Sequence, residues 1–184
     1  MNMDFDVEKI FQERLAASMG LEQYRFILKN AHKINIAEDE DFQRTFNGFY
    51  MVRRNAEWRK IFYEYFESIK GGRPSFENIV IYLFEKTGNI EPSFSSKMPA
   101  TILPDKPIWD RYVVQNLDMK LDGKNKQEKL QNAIRLYGEM EQWYADFLLT
   151  DKGKECIQIF DRTLPDYSWL SAIKKVDCIL WSIR

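Results

Sequence analysis

Apolar residues recur every three or four positions along most of the chain, which is the repeat of amphipathic helices. Polar and glycine-containing segments separate these stretches, and no pair of alternating segments predicts paired strands. The predicted helices begin at Val7, Leu21, residues 38–41, Trp58, Phe76, Gln127, Gly153 and Ser171. The pattern therefore predicts an all-α fold.

The ends of several predicted helices carry recognisable caps. Gly20 and the pair Gly88-Asn89 are suited to helix C-termini, and Ser75 is suited to an N-cap. The acidic run at residues 38–41 places carboxylates in a first helical turn, where the helix dipole favours them. Cation binding is the alternative interpretation of the same run.

The predicted fold is centred on residues 92–117, because two apolar helical segments meet there across a connection stiffened by Pro99, Pro104 and Pro107. The length of 184 residues fits one helical domain, residues 1–184. Within it we expect two lobes, a central lobe of residues 35–120 and a terminal lobe of residues 1–34 plus 121–184.

Charge and cysteine content narrow the classes of function. The net charge of −1 and the pI near 6.0 predict that any nucleic-acid site is a local patch. Cys156 and Cys178 lie in apolar helical runs typical of buried thiols, and with His32 they are too few for a four-ligand zinc site. We expect no metal and no cofactor.

Targeting signals are not predicted either. The N-terminus is acidic and lacks the basic and apolar regions of a signal peptide, and no apolar run approaches the length of a membrane span. These features predict a cytoplasmic protein without a membrane partner. The sequence leaves the oligomeric state undetermined.

Among chemical motifs, phosphate-loop, dinucleotide-binding and hydrolase-elbow patterns are absent from the sequence. The remaining candidate is Asp110, which follows Pro107 at a predicted helix start. One interpretation makes it a first-turn carboxylate facing the helix dipole. The other makes it a carboxylate at the mouth of a cleft between the lobes, able to stabilise a cationic sugar carbon or to activate water.

The order of an apolar helix, a short turn, a lysine-bearing helix and an aspartate motif resembles the helix-hairpin-helix DNA glycosylase superfamily. Residues 92–97 (PSFSSK) correspond to the hairpin and helix start, with serines where the family has glycines. Residues 108–113 (IWDRYV) correspond to the aspartate motif, and residues 175–181 resemble the closing helix. The resemblance implies a two-lobed helical fold and double-stranded DNA as the partner.

The resemblance also implies roles for individual residues. Asp110 would stabilise the sugar cation or orient water as an N-glycosidic bond breaks, and Lys97 would be an amine nucleophile. The residues expected to contact DNA are Arg53, Arg54, Ser95, Ser96, Trp109 and Arg111. The alternative function is a non-catalytic helical module that binds protein or nucleic acid, with Arg53 and Arg54 as a solvated helix end.

Overall fold

The computed structural model describes residues 6–10 and 20–183, and every regular element within them is a helix. Residues 7–10 are helical, and the rest of the helix predicted from Val7 lies outside the described residues. The further helices are α1 (Leu21–Asn30), α2 (Glu40–Phe49), α3 (Ala56–Ile69), α4 (Phe76–Thr87), α5 (Pro92–Ile102), α6 (Arg111–Asn116), α7 (Lys126–Leu149), α8 (Asp151–Thr163), a 3₁₀ turn (Pro165–Tyr167) and α9 (Ala172–Ser182). The all-α prediction is confirmed for this part of the chain. A helix able to cross a membrane, both long and apolar, is not found in it.

Side-chain caps begin most of these helices, because each cap satisfies a backbone N–H that has no partner within its helix. The capping side chains are Asp39, Asn55, Ser75, Asp110, Asn125, Thr150 and Ser171. The acidic run thus begins α2 as predicted, with Asp39 accepting from the N–H of Phe42 at 2.7 Å. Gly88 ends α4 with a left-handed φ of 70°, also as predicted.

Contacts divide the chain into two units, which we call the central unit (Gly20–Leu103) and the terminal unit (residues 6–10 and 104–183). These bounds differ from the predicted lobes at both junctions. Residues 20–34 belong to the central unit because α1 packs on α2 and α5. Residues 104–120 belong to the terminal unit because α6 packs on α9.

Aromatic rings form the core of the central unit. Phe46 of α2 contacts Phe62 and Phe66 of α3 at centroid distances of 5.8 Å, and all three are fully buried. The Phe46–Phe66 pair is edge-to-face, and such pairs contribute about 0.5–1.5 kcal/mol beyond their area burial. The aromatic periodicity of the sequence therefore builds the core here, as the helical pattern indicated.

The structure corrects the position of the predicted hairpin. Residues 92–97 are part of the continuous helix α5, which begins at Pro92, so they do not form a turn. The turn lies earlier, at residues 88–91, where it joins the packed helices α4 and α5. The left-handed residue that it needs is Gly88.

The terminal unit is built on α7, α8 and α9, which pack on one another. A single residue, Thr150, ends α7 and caps α8, since its hydroxyl donates to the carbonyl of Phe147 and accepts from the N–H of Gly153. Gly153 lies so close to the end of α7 that a Cβ atom there would be 2.1 Å from the carbonyl oxygen of Phe147. This sharp turn therefore requires glycine at residue 153.

We predict opposite stability effects for two glycine-to-alanine substitutions. Gly153→Ala should lower the free energy of unfolding by about 2 kcal/mol or more, because the backbone of α7 has no space for the added methyl group. Gly138→Ala, inside α7 with no atom near its Cβ position, should raise it by about 0.5–1 kcal/mol. Urea denaturation of the two variants measures both effects, and equal values would contradict the close contact.

Candidate functional site

Asp110 is the N-cap of the short helix α6. One oxygen of its carboxylate, Oδ1, accepts from the N–H of Tyr112 at 2.8 Å, while Oδ2 has no hydrogen bond to the described residues. The side chain is half-buried. Pro107 was expected at the first helical position but does not occupy it, because α6 begins only at Arg111. The result is a carboxylate with one oxygen fixed by the backbone and the other available.

Buried side chains fix the backbone immediately before Asp110. Lys174 donates to the carbonyl of Lys106 at 2.6 Å, and Tyr137 donates to the carbonyl of Pro107 at 2.9 Å. The carboxylate of Asp177 accepts from the N–H of Ile108 at 3.3 Å. Three consecutive residues, 106–108, are therefore held by α7 and α9, so that Asp110 follows a rigid segment.

Lys174 and Asp177 also form an ion pair, with 3.0 Å between Nζ and Oδ2, and Tyr144 donates to the other oxygen of Asp177. The side chains of Lys174 and Asp177 are only 2% and 9% exposed. We call Tyr137, Tyr144, Lys174 and Asp177 the buried polar cluster. A buried carboxylate and a buried ammonium are tolerated here because each has several hydrogen-bonding partners.

Burial also governs the proton equilibria of the cluster. Desolvation raises the pKa of Asp177, although attraction to Lys174 and the hydrogen bond from Tyr144 oppose the increase. Desolvation raises the pKa of Tyr144 and of Tyr137 well above the ordinary value for tyrosine, with neighbouring carboxylates adding to the effect. Both tyrosines therefore remain hydrogen-bond donors throughout the neutral range.

Lys97, the predicted nucleophile, lies in α5 of the central unit and is only 4% exposed. Its ammonium donates to the carbonyl and the hydroxyl of Ser93 at 2.9 and 2.6 Å. It also lies 5.3 Å from the ring centroid of Tyr50 and 5.1 Å from that of Phe94, within the range of cation–π attraction. These contacts stabilise the charged amine, whereas a nucleophile needs an accessible, uncharged one.

Ser95 and Ser96, which were expected to contact DNA, are fully buried. Their hydroxyls donate to carbonyls of the chain just before them, Glu91 for Ser95 and Ser93 for Ser96. This back-bonding is common for serine inside a helix. Since neither hydroxyl reaches the surface in this arrangement, the expectation that they bind phosphate is not supported by their burial.

The two predicted cationic contacts Arg53 and Arg54 differ in their surroundings. Arg53 is exposed, while Arg54 forms a salt bridge with the buried Glu91, with Nη2 2.7 and 2.8 Å from the two carboxylate oxygens. The guanidinium of Arg54 lies over the rings of Trp58 and Phe94, at 5.7 and 5.4 Å from their centroids. Burial raises the pKa of Glu91, with Arg54 opposing the increase. Arg54 is thus engaged within the central unit.

The residues on either side of Asp110 differ in exposure. Trp109 is only 7% exposed, which leaves little ring surface on which a base could stack. Arg111 is exposed, and its guanidinium donates to the hydroxyl of Tyr112 and lies 4.8 Å from the centroid of that ring. Of the two residues that were expected to contact DNA here, only Arg111 is exposed to solvent.

A depression of about 320 Å³ lies beside the segment that precedes Asp110. Its lining residues are Asp105, Lys106, Pro107, Gly138, Glu141, Gln142 and Ile173. A salt bridge of 2.9 Å joins Lys106 to Glu141 within it. The mixed charges suit a small polar group. Among the described residues, here and elsewhere, no three His, Cys, Asp or Glu side chains are grouped as a metal site would need.

The buried polar cluster was not predicted from the sequence. A usable signal was present, because Lys174 and Asp177 are three residues apart in a helix whose neighbours are mainly apolar. That spacing places both on one helix face, where a lysine and an aspartate can pair. Their tyrosine partners, 30 or more residues earlier in α7, could not be assigned from periodicity alone.

Comparison with known proteins provides no relative for this arrangement. No protein-family model, curated protein or solved structure matches the chain. A functional argument therefore rests on the side chains described above.

We predict that Asp177→Asn lowers the free energy of unfolding by about 3–5 kcal/mol, because Lys174 would remain buried without its counter-charge. The matched control is Glu139→Gln in the exposed i,i+4 pair with Arg135, which should cost less than about 1 kcal/mol. Chemical denaturation at neutral pH measures both. A similar small loss for the two variants would show that the buried pair contributes no more than a surface pair.

Proposed function

We propose that this protein is a DNA base-excision enzyme of the glycosylase type, in which Asp110 stabilises the sugar cation as an N-glycosidic bond breaks. The target base would leave the duplex stack before reaction, as enzymes acting on bases require. The carboxylate of Asp110 would lie beside the positive charge that develops on the sugar carbon. The same carboxylate could instead orient the attacking water.

The observation that carries this proposal is the geometry of the Asp110 carboxylate. Its Oδ1 is held by the N–H of Tyr112, and its Oδ2 has no hydrogen-bonding partner in the described part of the chain. The buried polar cluster holds the backbone of residues 106–108, which end two positions before Asp110. A carboxylate positioned before the reaction does not need to reorganise as charge develops, which is the main source of electrostatic catalysis.

Two further observations bear on the proposal. Helices α4 and α5, joined by the turn at residues 88–91 with Gly88, support the resemblance to a helix-hairpin-helix protein. The burial of Lys97 and its bonds to Ser93 favour a reaction without an amine nucleophile. We therefore propose that the enzyme releases the base by hydrolysis and leaves an intact abasic strand.

A non-catalytic helical module that binds protein or nucleic acid is the second candidate. The burial of Ser95, Ser96 and Lys97 favours it, because these residues are not available at the surface for DNA or for chemistry. In that case the carboxylate of Asp110 only caps α6. DNA binding without release of any base would support the module over the enzyme.

The test is base release from duplex oligonucleotides that each carry one deaminated, alkylated or oxidised base, followed by alkaline cleavage of the abasic product. We predict that Asp110→Asn lowers the rate by about 100-fold or more, because it removes the charge. Asparagine is itself a good N-cap, so the variant should keep its fold and its thermal midpoint.

Asp39→Asn is the matched control, since Asp39 caps α2 in the same way and has no proposed role in the reaction. It should leave base release unchanged. Failure of the wild-type protein to release any base of the panel would reject the enzyme. Trapping of a covalent DNA adduct by borohydride, abolished in Lys97→Gln, would reject the hydrolytic reaction in favour of the amine nucleophile.

A further inference from the structure

A lysine-rich segment directly follows the short helix that Asp110 caps. Residues 120–129, which we call the lysine loop, contain four lysines and two carboxylates in a chain of net charge −1. The four lysines, Lys120, Lys124, Lys126 and Lys129, are all exposed. The segment therefore concentrates positive charge in the terminal unit, which also contains Asp110.

The lysine loop is ordered by its own polar groups. Asn125 caps α7 by accepting from the N–H of Glu128, and the carboxylate of Glu128 accepts from the N–H of Lys124 at 2.9 Å. The side-chain amide of Asn132 donates to the backbone carbonyl of Asp122 at 3.0 Å and to its carboxylate at 3.3 Å. Both carboxylates thus accept from N–H groups.

Three of these lysines, Lys120, Lys124 and Lys129, differ from most other cations of the terminal unit in their salt bridges. Between residues 104 and 183, the cations that form salt bridges are Lys106, Arg135, Lys152, Lys154, Arg162, Lys174 and Lys175. By contrast, Lys120, Lys124 and Lys129 form no salt bridge with any described carboxylate. Outside the lysine loop, every cation of this range except Arg111, whose guanidinium contacts Tyr112, forms a salt bridge with a described carboxylate.

We propose that the lysine loop is the surface through which this protein contacts the phosphate backbone of duplex DNA. Lysine is a point charge without the fixed geometry of arginine, which suits sequence-independent contact with phosphates. Only the six-residue α6, roughly 9 Å long, separates Asp110 from the residues that lead into the loop. Backbone contacts there would bring DNA to the half of the molecule that carries the proposed catalytic carboxylate.

The observations favour nucleic acid over an anionic membrane. A membrane-binding surface combines lysines with apolar side chains that enter the lipid. The exposed large apolar residues of the described chain, Phe26, Met51, Leu149 and Trp169, all lie outside the lysine loop. Since the loop exposes lysines without a large apolar side chain, a partner with closely spaced phosphates is the better fit.

The test measures binding of an undamaged, fluorescently labelled duplex of about 24 base pairs by anisotropy, from 25 to 200 mM salt. The loop variant is Lys120→Ala/Lys124→Ala/Lys129→Ala. We expect it to bind at least tenfold more weakly than wild type at low salt. The slope of log K against log salt should fall by about two to three, since each lost phosphate contact removes about 0.9.

The matched control is Lys60→Ala/Lys152→Ala/Lys154→Ala, which removes three exposed or half-exposed lysines that already form salt bridges. It changes the net charge by the same amount and should bind within about threefold of wild type. Equal weakening of both variants would overturn the proposal, as would no binding of wild type at 25 mM salt. Loop-dependent binding to phosphatidylserine vesicles but not to DNA would also overturn it.

This inference takes its partner from the proposed function, but the two fail separately. Asp110→Asn should bind the undamaged duplex as wild type does. Loop-dependent binding without any base release would reject the enzyme and keep the DNA-binding surface. Base release by the loop variant at the wild-type rate and low DNA concentration would reject the surface and keep the enzyme.

Discussion

The terminal unit depends on one buried ion pair, Lys174 with Asp177. Taking both charges out of water is costly, and the cost is offset only because every partner is in place. The same side chains bond to the backbone of residues 106–108. The pair therefore links the packing of α7 and α9 to the position of the chain that leads to Asp110. This polar network thus positions the backbone that leads to Asp110 through hydrogen bonds, which are directional, whereas apolar packing is not.

The helical architecture could be predicted from sequence because it depends on local patterns. The periodicity of Phe62 and Phe66 and the cap at Ser75 are decided by residues three or four positions apart. The division into units depends on contacts between distant parts of the chain, because those contacts decide whether α1 or α6 joins one unit or the other. Local propensity carries no information about those contacts.

The candidate site was predictable only in part, for the same physical reason. Asp110 could be recognised as a helix-start carboxylate, since a cap is a local feature. The burial of Lys97 and Ser95 could not, because a polar residue between apolar ones is compatible with either face of a helix. Their hydrogen bonds within α5 remove the cost of burying them, and that compensation is visible only in three dimensions. The segment that contains these serines is helical, whereas a turn was expected there.

The turn at Thr150 has a consequence for the motions of the terminal unit. Thr150 ends α7 and caps α8, and Gly153 packs against the carbonyl of Phe147, so the two helices meet without a linker between them. The 24 residues of α7, about 36 Å in length, and the 13 of α8 should open and close as one cooperative unit in hydrogen exchange. Local unfolding of one of these helices would then also unfold the other.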